Sequence, residues 1–429
     1  MKVNVLLGLQ WGDEGKGKIV DYLAPQYQVV ARFQGGPNAG HTLTFNGIKH
    51  VLHQIPSGIF RHDILNIIGN GVVLDAVILK KEIEALTNFN LDLRKNLFIS
   101  KKTALILPTH RLLDAALEKA KGEKKIGSTL KGIGPAYQDK IGRHGLRVGD
   151  ILNADFKACY RNLVAEHESI LRYHKFEYDL EVLEKPFFEA VEFLKEFNLV
   201  DSEYLLNEKI TSGDAILAEG AQGSLLDIDF GSYPFVTSSS TVTAGACTGL
   251  GISPHNIGEV YGIFKAYCTR VGSGPFPTEL HDEFGEKIRK AGQEFGATTG
   301  RPRRCGWLDL PALKYSIMLN GVTQLFMMKA DVLNEFEEIR VCTHYELPDG
   351  TTTENFTYES MQEGVTPIYK TLPGWNCNLK EIRKFENMPD ALQDYVSYLE
   401  NQLDVPINIV SIGPDREQTI IRKEVLEGA

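Results

Sequence analysis

Short apolar runs recur along the chain and alternate with stretches of helical periodicity. Val3–Leu7, Val29–Arg32, Asn66–Ile68, Ala215–Ala218, Val260–Phe264, Leu325–Met328 and Ile407–Ile412 read as buried strands. Arg111–Lys121, Phe156–Tyr173 and Phe187–Phe197 read as amphipathic helices, and Ile19–Leu23 can open another. In the first of these, Leu112, Leu113, Ala116 and Leu117 form the apolar face, while Lys119 and Lys121 take the wet one. Alternation of this kind predicts an α/β fold: a large, mostly parallel central sheet with flanking helices. No internal repeat, low-complexity segment or Pro/Gly/Ser linker divides the chain, so residues 1–429 read as one domain with inserted subdomains.

The connections carry the chemistry. The stretch Gly8-Leu9-Gln10-Trp11-Gly12-Asp13-Glu14-Gly15-Lys16-Gly17-Lys18 lies between the first strand and the first helix. Such a turn aims several backbone N–H groups and a helix N-terminus at one small volume, which suits phosphate. Gly12 to Lys18 satisfies most of the pattern G-x-x-x-x-G-K-[ST], but Ile19 stands where a hydroxyl would ligate magnesium. The metal then needs another protein ligand, and the carboxylates at hand are Asp13 and Glu14. An anion among phosphate-binding groups calls for a bridging cation or a part in the chemistry, which makes Asp13 the most informative residue.

Other loops extend the pattern. Phe33-Gln34-Gly35-Gly36-Pro37-Asn38-Ala39-Gly40-His41-Thr42 follows the second strand and offers His41 as a proton donor. Gly127-Ser128-Thr129-Leu130-Lys131-Gly132-Ile133-Gly134-Pro135, with Arg143 and Arg147 beyond it, suits phosphate or a structural turn equally. Glu219-Gly220-Ala221-Gln222-Gly223 and the Val236–Gly245 stretch tell little alone. Ala297-Thr298-Thr299-Gly300-Arg301-Pro302-Arg303-Arg304 concentrates arginines beside a glycine and favours carboxylate or phosphate. In Met328-Lys329-Ala330-Asp331 a carboxylate can accept both the ring N–H and the amino group of guanine, donors that adenine does not offer there. Ser411-Ile412-Gly413-Pro414-Asp415-Arg416 is a final loop able to close over the base.

Composition narrows the partners. A net charge of −10 argues against general nucleic-acid affinity and against an anionic membrane surface, though not against a nucleotide in a local basic pocket. The six cysteines are scattered without a C-x-x-C pair, so neither a disulfide framework nor a zinc site is expected. Met1 to Leu7 is too short for a signal peptide and no apolar run approaches a membrane span, so the expected location is the cytoplasm.

Six of these motifs, from Gln10–Lys18 to Ser411–Arg416, resemble in order and approximate spacing those of the adenylosuccinate synthetase family. The others are Gly36–Thr42, Gly132-Ile133-Gly134-Pro135-Ala136-Tyr137, Glu219–Gly223 and Thr298–Arg301. The resemblance implies a P-loop GTPase-like nucleotide site and a ligase joining IMP and L-aspartate as GTP becomes GDP and phosphate, with magnesium (Mg2+). It implies Asp13 as the base at N1 of IMP, His41 as the group stabilising the phosphoryl group in flight, and Gln222 as support for the purine. Asp13 and the Gly40 carbonyl would hold the metal. GTP would use Gly12, Asp13, Glu14, Gly15, Lys16, Gly17, Lys18, Gly40, His41, Thr42, Arg303, Lys329, Ala330, Asp331, Ser411, Ile412 and Gly413. IMP would contact Asp13, Glu14, Gly15, Lys16, Asn38, Ala39, Gly40, His41, Thr129, Gln222, Thr237 and Arg301, with Arg143 reaching in from the other subunit of a homodimer. Ala297, Thr298, Thr299, Gly300, Arg301, Pro302 and Arg303 would grip the substrate aspartate.

Leu130-Lys131 stand where the family more often has Gly-Arg, Gln138 where Glu is usual, and Pro302 interrupts an arginine run. These departures bear on the two loops and not on Asp13 and His41. A GTP-binding switch module would account for Lys16, Lys18, Lys329 and Asp331 but leave His41 and the arginine loop without purpose. A purine nucleotide kinase would need an acceptor hydroxyl site, for which no motif is present.

Overall fold

The computed structural model describes residues 2–45, 47–89, 91–122, 125–296 and 300–422. Its centre is a ten-stranded sheet in the order Thr419–Ile421, Ile407–Ser411, Gln324–Met328, Ile257–Lys265, Val3–Gly8, Ile216–Glu219, Val29–Arg32, Leu65–Ile68, Leu97–Ser100, Asn198–Val200. Every neighbouring pair is parallel except the last hairpin, Ile407–Ser411 with Thr419–Ile421. All seven expected strands are in this sheet, each at or within three residues of its expected bounds.

Parallel pairing explains why those strands read as continuous apolar runs. Val3, Val5 and Leu7 face one core cluster, and Leu6 faces another with Ile19, Val20 and Leu23 of the helix Lys16–Leu23. Both faces are covered, so polar alternation is lost. The strands Leu97–Ser100, Asn198–Val200 and Thr419–Ile421 lay outside the sequence reading. They are short and peripheral, and become strands through pairs such as Phe98 with Asn198.

Parallel strands end at the same edge of the sheet, which gathers the loops after Gly8, Arg32, Glu219, Met328 and Ser411 along it. The hairpin His41–Phe45 with Ile48–Leu52 is one insertion. A helical insertion between Leu97–Ser100 and Asn198–Val200 contains Pro108–Ala120, Ile133–Gly142, Phe156–Tyr173 and Leu180–Leu194. The last of these begins seven residues before the expected Phe187, because Asp179 caps it by accepting the N–H of Glu181 and Val182. Phe156–Tyr173 has the expected bounds, and Pro108 at the first position starts its helix earlier than Arg111. A smaller sheet pairs Glu338–Glu346 with Thr366–Pro373 antiparallel.

Candidate active site

The chain leaves its first strand through Gly12 (φ 86°), Asp13 (φ 59°) and Gly15 (φ 100°) before the helix begins at Lys16. Left-handed backbone is cheap for glycine, but costs other residues roughly 1–2 kcal/mol. Asp13 adopts it at the loop tip, as aspartate does more readily than most residues, and this turns its side chain away from that of Glu14.

The two acids of the loop part company. The Glu14 carboxylate is fully buried and accepts the N–H of Gln10 at 3.2 Å and of Gly12 at 2.9 Å, with Lys16 Nζ at 2.5 Å. A Cβ on Gly8 would lie 2.2 Å from that carboxylate, and one on Gly223 2.5 Å from it, so both positions need glycine. Glu14 thus holds the loop from below. Asp13 faces outward, 36% exposed, with Oδ2 2.8 Å from Arg303 Nε.

Arg303 is tethered from behind. Its Nη1 donates to Glu294 at 2.5 Å, and Glu294 also accepts from Lys265 at 3.0 Å, Lys329 at 2.7 Å and the Tyr267 hydroxyl at 2.5 Å. Burial alone would raise Glu294, but Lys265, Lys329 and Arg303 outweigh it and hold the carboxyl well below its usual range. Glu294 sits in no recognisable motif, and sequence reading missed it.

His41 starts its hairpin against the loop: a Cβ on Gly17 would meet His41 Cβ at 2.8 Å. Its Nδ1 is 2.5 Å from Glu219 Oε1, and Glu219 also accepts the Ser57 hydroxyl at 2.6 Å and the Ser57 N–H at 2.8 Å. Arg32 lies 3.7 Å from the same carboxylate. Burial, then Arg32, lowers His41 to about 4. Burial works to raise Glu219, yet His41 and then Arg32 hold it down to about 2. The pair is a neutral imidazole donating Nδ1–H to a carboxylate, with Nε2 left for a ligand. Glu219 lay in a quoted motif without a role; Ser57 and Arg32 carried no signal.

Around this centre stand three buried oxygens with no hydrogen-bond partner among the described residues: Asn38 Oδ1, Gln222 Oε1 and Asp331 Oδ1. Buried polar atoms are rarely left so, and each is suited to a ligand donor. Gln222, itself left-handed at φ 56°, lies between two loops: a Cβ on Gly12 would be 3.6 Å from its Cα, and one on Gly35 3.0 Å from its Oε1. Gly15 approaches the strand end before Lys329, where its Cβ would be 3.1 Å from Met328 Cε. Burial raises the Asp331 carboxyl, and Lys329 and Lys18 oppose the rise.

Lys18 does not turn to the centre of the glycine loop. Its amine donates to Ser411 Oγ and the Gly413 carbonyl at 2.8 Å and to the Gln418 carbonyl at 3.0 Å, tying the last loop to the first helix. Burial lowers it to about 7, against the opposing pull of Asp331 and Asp415.

Other expected residues stand further out. Thr129 is exposed on a loop whose Gly127 and Ser128 N–H groups bind Glu118, while Gly132 N–H binds Asp114. These amides hold acids of the neighbouring helix, as in a structural turn, one of the two readings of this loop. Thr237 donates its N–H to the Leu226 carbonyl. Arg143 is exposed at the end of the helix Ile133–Gly142, and Arg301 Nη1 would be 3.7 Å from a Cβ on Gly127. Arg304 turns back onto Glu279, with Nε 2.8 Å from Oε1, so the arginine patch is smaller than its sequence suggests. Ala297, Thr298 and Thr299 lie outside the described residues.

A parallel sheet that gathers a glycine loop, a buried His–Glu pair and a buried carboxylate oxygen free of partners among the described residues at one edge is the architecture of a nucleotide-dependent α/β enzyme. Residues 5–420 match the family model described as adenylosuccinate synthetase. The adenylosuccinate synthetases of Cytophaga hutchinsonii and Flavobacterium johnsoniae are 65% and 60% identical, each over 98% of this chain and over 98% and 100% of their own. A fully ligated adenylosuccinate synthetase from Plasmodium falciparum superposes with a TM-score of 0.93 at 37% identity, covering 99% of this chain and 100% of that one. The chain belongs to the adenylosuccinate synthetase family, and it ligates IMP and L-aspartate using GTP in purine biosynthesis. No helix among the described residues is long and apolar enough to cross a membrane.

Proposed function

We propose that the reaction runs through a 6-phosphoryl-IMP intermediate, with Asp13 and His41 as its two catalytic side chains. Asp13 takes the proton from N1 of IMP, and the electron pair released makes O6 the nucleophile. O6 attacks the γ-phosphorus of GTP as the bond to the GDP oxygen breaks. The amine of aspartate then adds at C6 and phosphate departs, a far better leaving group than the original oxygen. The observation that carries this reading is the division of labour in the loop: Glu14 is buried beneath it, and Asp13 is held outward in a left-handed conformation.

His41 presents Nε2 because Glu219 holds Nδ1. Triphosphate charge beside the ring raises its pKa, so His41 gains a proton and donates it as a hydrogen bond to the moving phosphoryl group. Gln222 supports the purine, and Asp331 reads the guanine edge while Lys329 and loop 411–413 flank it. The residues at the loop fit a divalent cation: Asp13 carries the outward carboxylate, and Gly40 offers a carbonyl directly before His41. Magnesium held there would neutralise charge developing on the transferred group. Arg303 and residues 297–302 bind the substrate aspartate, and Asn38, Thr129, Thr237 and Arg301 hold IMP. The chain acts as a homodimer in which Arg143 crosses into the partner's IMP site.

The test is phosphate release from GTP and magnesium with IMP and aspartate added singly and together. Release that requires both supports ligation; release with neither favours a switch. With oxygen-18 in the β,γ-bridge of GTP, scrambling in the presence of IMP alone is expected. Scrambling that also needs aspartate would overturn the stepwise order.

A further inference from the structure

His110, Asp139 and His167 close on one another between three helices of the insertion, all buried. His110 Nε2 lies 2.7 Å and His167 Nε2 2.9 Å from one atom, Asp139 Oδ2. A transition metal is the first ligand to weigh for such a trio. The far sides of the rings decide against it. His110 Nδ1 accepts the backbone N–H of Leu107 at 2.9 Å, and that donor cannot reverse its role. A neutral His110 therefore carries its proton on Nε2, and a metal there would require a ring stripped of both protons. The Thr109 hydroxyl, 2.7 Å from His167 Nδ1, is free to donate to it when His167 turns its Nε2–H to Asp139. Both rings then give their Nε2–H to a single carboxylate oxygen. Burial keeps His110 below its usual value, and although burial would raise Asp139, the bonds from His110 and His167 outweigh it.

Asp139 also lies in the last turn of its helix, Ile133–Gly142. The N–H groups of His144 and Gly145 both close onto the Asp139 carbonyl, at 3.2 Å and 3.3 Å, and Arg143 takes φ 68° between them. Gly145 packs so closely that a Cβ there would be 3.2 Å from Asp139 Cβ. The side chain of Asp139 is thus locked to Pro108–Ala120 and Phe156–Tyr173, while its backbone shapes the turn that carries Arg143.

We propose that Asp139, clamped by His110 and His167, is a positioning residue that fixes Arg143 for the IMP site of a second copy of this chain. The proposal rests on the reading of Arg143 given above. Asp139 touches no substrate. It sets the end of a rigid element, and small displacements of a substrate-gripping group are costly in binding.

Asp139→Asn keeps shape but removes the charge that holds two N–H donors. The KM for IMP is expected to rise roughly tenfold, with kcat and the KM for GTP within about twofold of the parent. In an Arg143→Leu background the same change is expected to add nothing to the KM for IMP. An unchanged KM in Asp139→Asn beside a raised one in Arg143→Leu overturns the proposal alone, and so do additive effects. A normal KM in Arg143→Leu takes down the proposal together with the shared-site reading. Should Asp139→Asn not fold, His167→Leu carries the test: a raised KM for IMP restored partly in His167→Gln is expected, and an unchanged KM overturns it. One equivalent of zinc retained by the dialysed protein would also overturn the hydrogen-bonded clamp.

Discussion

Arg303 Nε stands 2.8 Å from Asp13 Oδ2, so a residue expected to grip the substrate aspartate holds the proposed base of the first step. The pair has to part when the metal takes Asp13 and the substrate carboxylate takes Arg303. Arg303 is mostly buried, but the Asp13 side chain keeps 36% of its surface in solvent, which screens the pair and lets Asp13 exchange partners. Asp13→Ala is expected to lower kcat by about 10³-fold or more while changing stability by about 1 kcal/mol or less. Phosphate release and a thermal melt measure the two, and near-normal turnover would remove Asp13 from the mechanism.

Losing the imaging of charge at the other end of the transfer should be equally plain. His41→Asn is expected to lower kcat by about 10²–10⁴-fold with the KM for IMP nearly unchanged. A defect confined to KM would contradict a transition-state role.

The same residue makes a pH signature. Burial lowers His41 to about 4 in the folded chain, below the ordinary histidine value of 6.5. Between those values the unfolded chain binds a proton that the folded chain refuses, so stability falls as pH drops through the window and is regained as pH rises. The parent is expected to lose more melting temperature than His41→Asn between pH 6.5 and pH 4. Parallel curves would show that the His41–Glu219 pair does not behave as its burial implies.

Asp331 Oδ1 is buried with no partner among the described residues. Asp331→Asn places a donor where guanine offers donors, and is expected to raise the KM for GTP by about 10²-fold with little effect on the KM for IMP. Initial rates with each nucleotide varied separately measure this, and an unaltered KM for GTP would move base recognition elsewhere.

Arg143→Leu, mixed with Asp13→Ala under conditions of demonstrated subunit exchange, is expected to recover up to about a quarter of parent activity if subunits pair at random. Each hybrid dimer would hold one site free of both changes. No recovery would place Arg143 in its own subunit's site.

Local pattern was enough for the strands at the heart of the sheet and for the loops that follow them. A buried parallel strand must be apolar on both faces, and a turn close to phosphate must be glycine-rich, so both are written in neighbouring residues. Neighbouring residues did not decide which way a side chain turns. Asp13 and Glu14 are adjacent acids, and only packing against Gly8 and Gly223 puts one beneath the loop and leaves the other outside. Lys16 and Lys18 look alike in sequence, yet Lys16 joins Glu14 and Lys18 meets loop 411–418, nearly four hundred residues away. Glu219, Ser57, Arg32 and Glu294 took on their roles the same way, through contacts across the fold. The sequence by itself determined the α/β class, the loops and their chemistry, because those depend on backbone requirements and on order along the chain. Only tertiary structure decided the partners of each buried charge, because desolvation makes that charge depend on whatever the fold brings within a few ångströms of it.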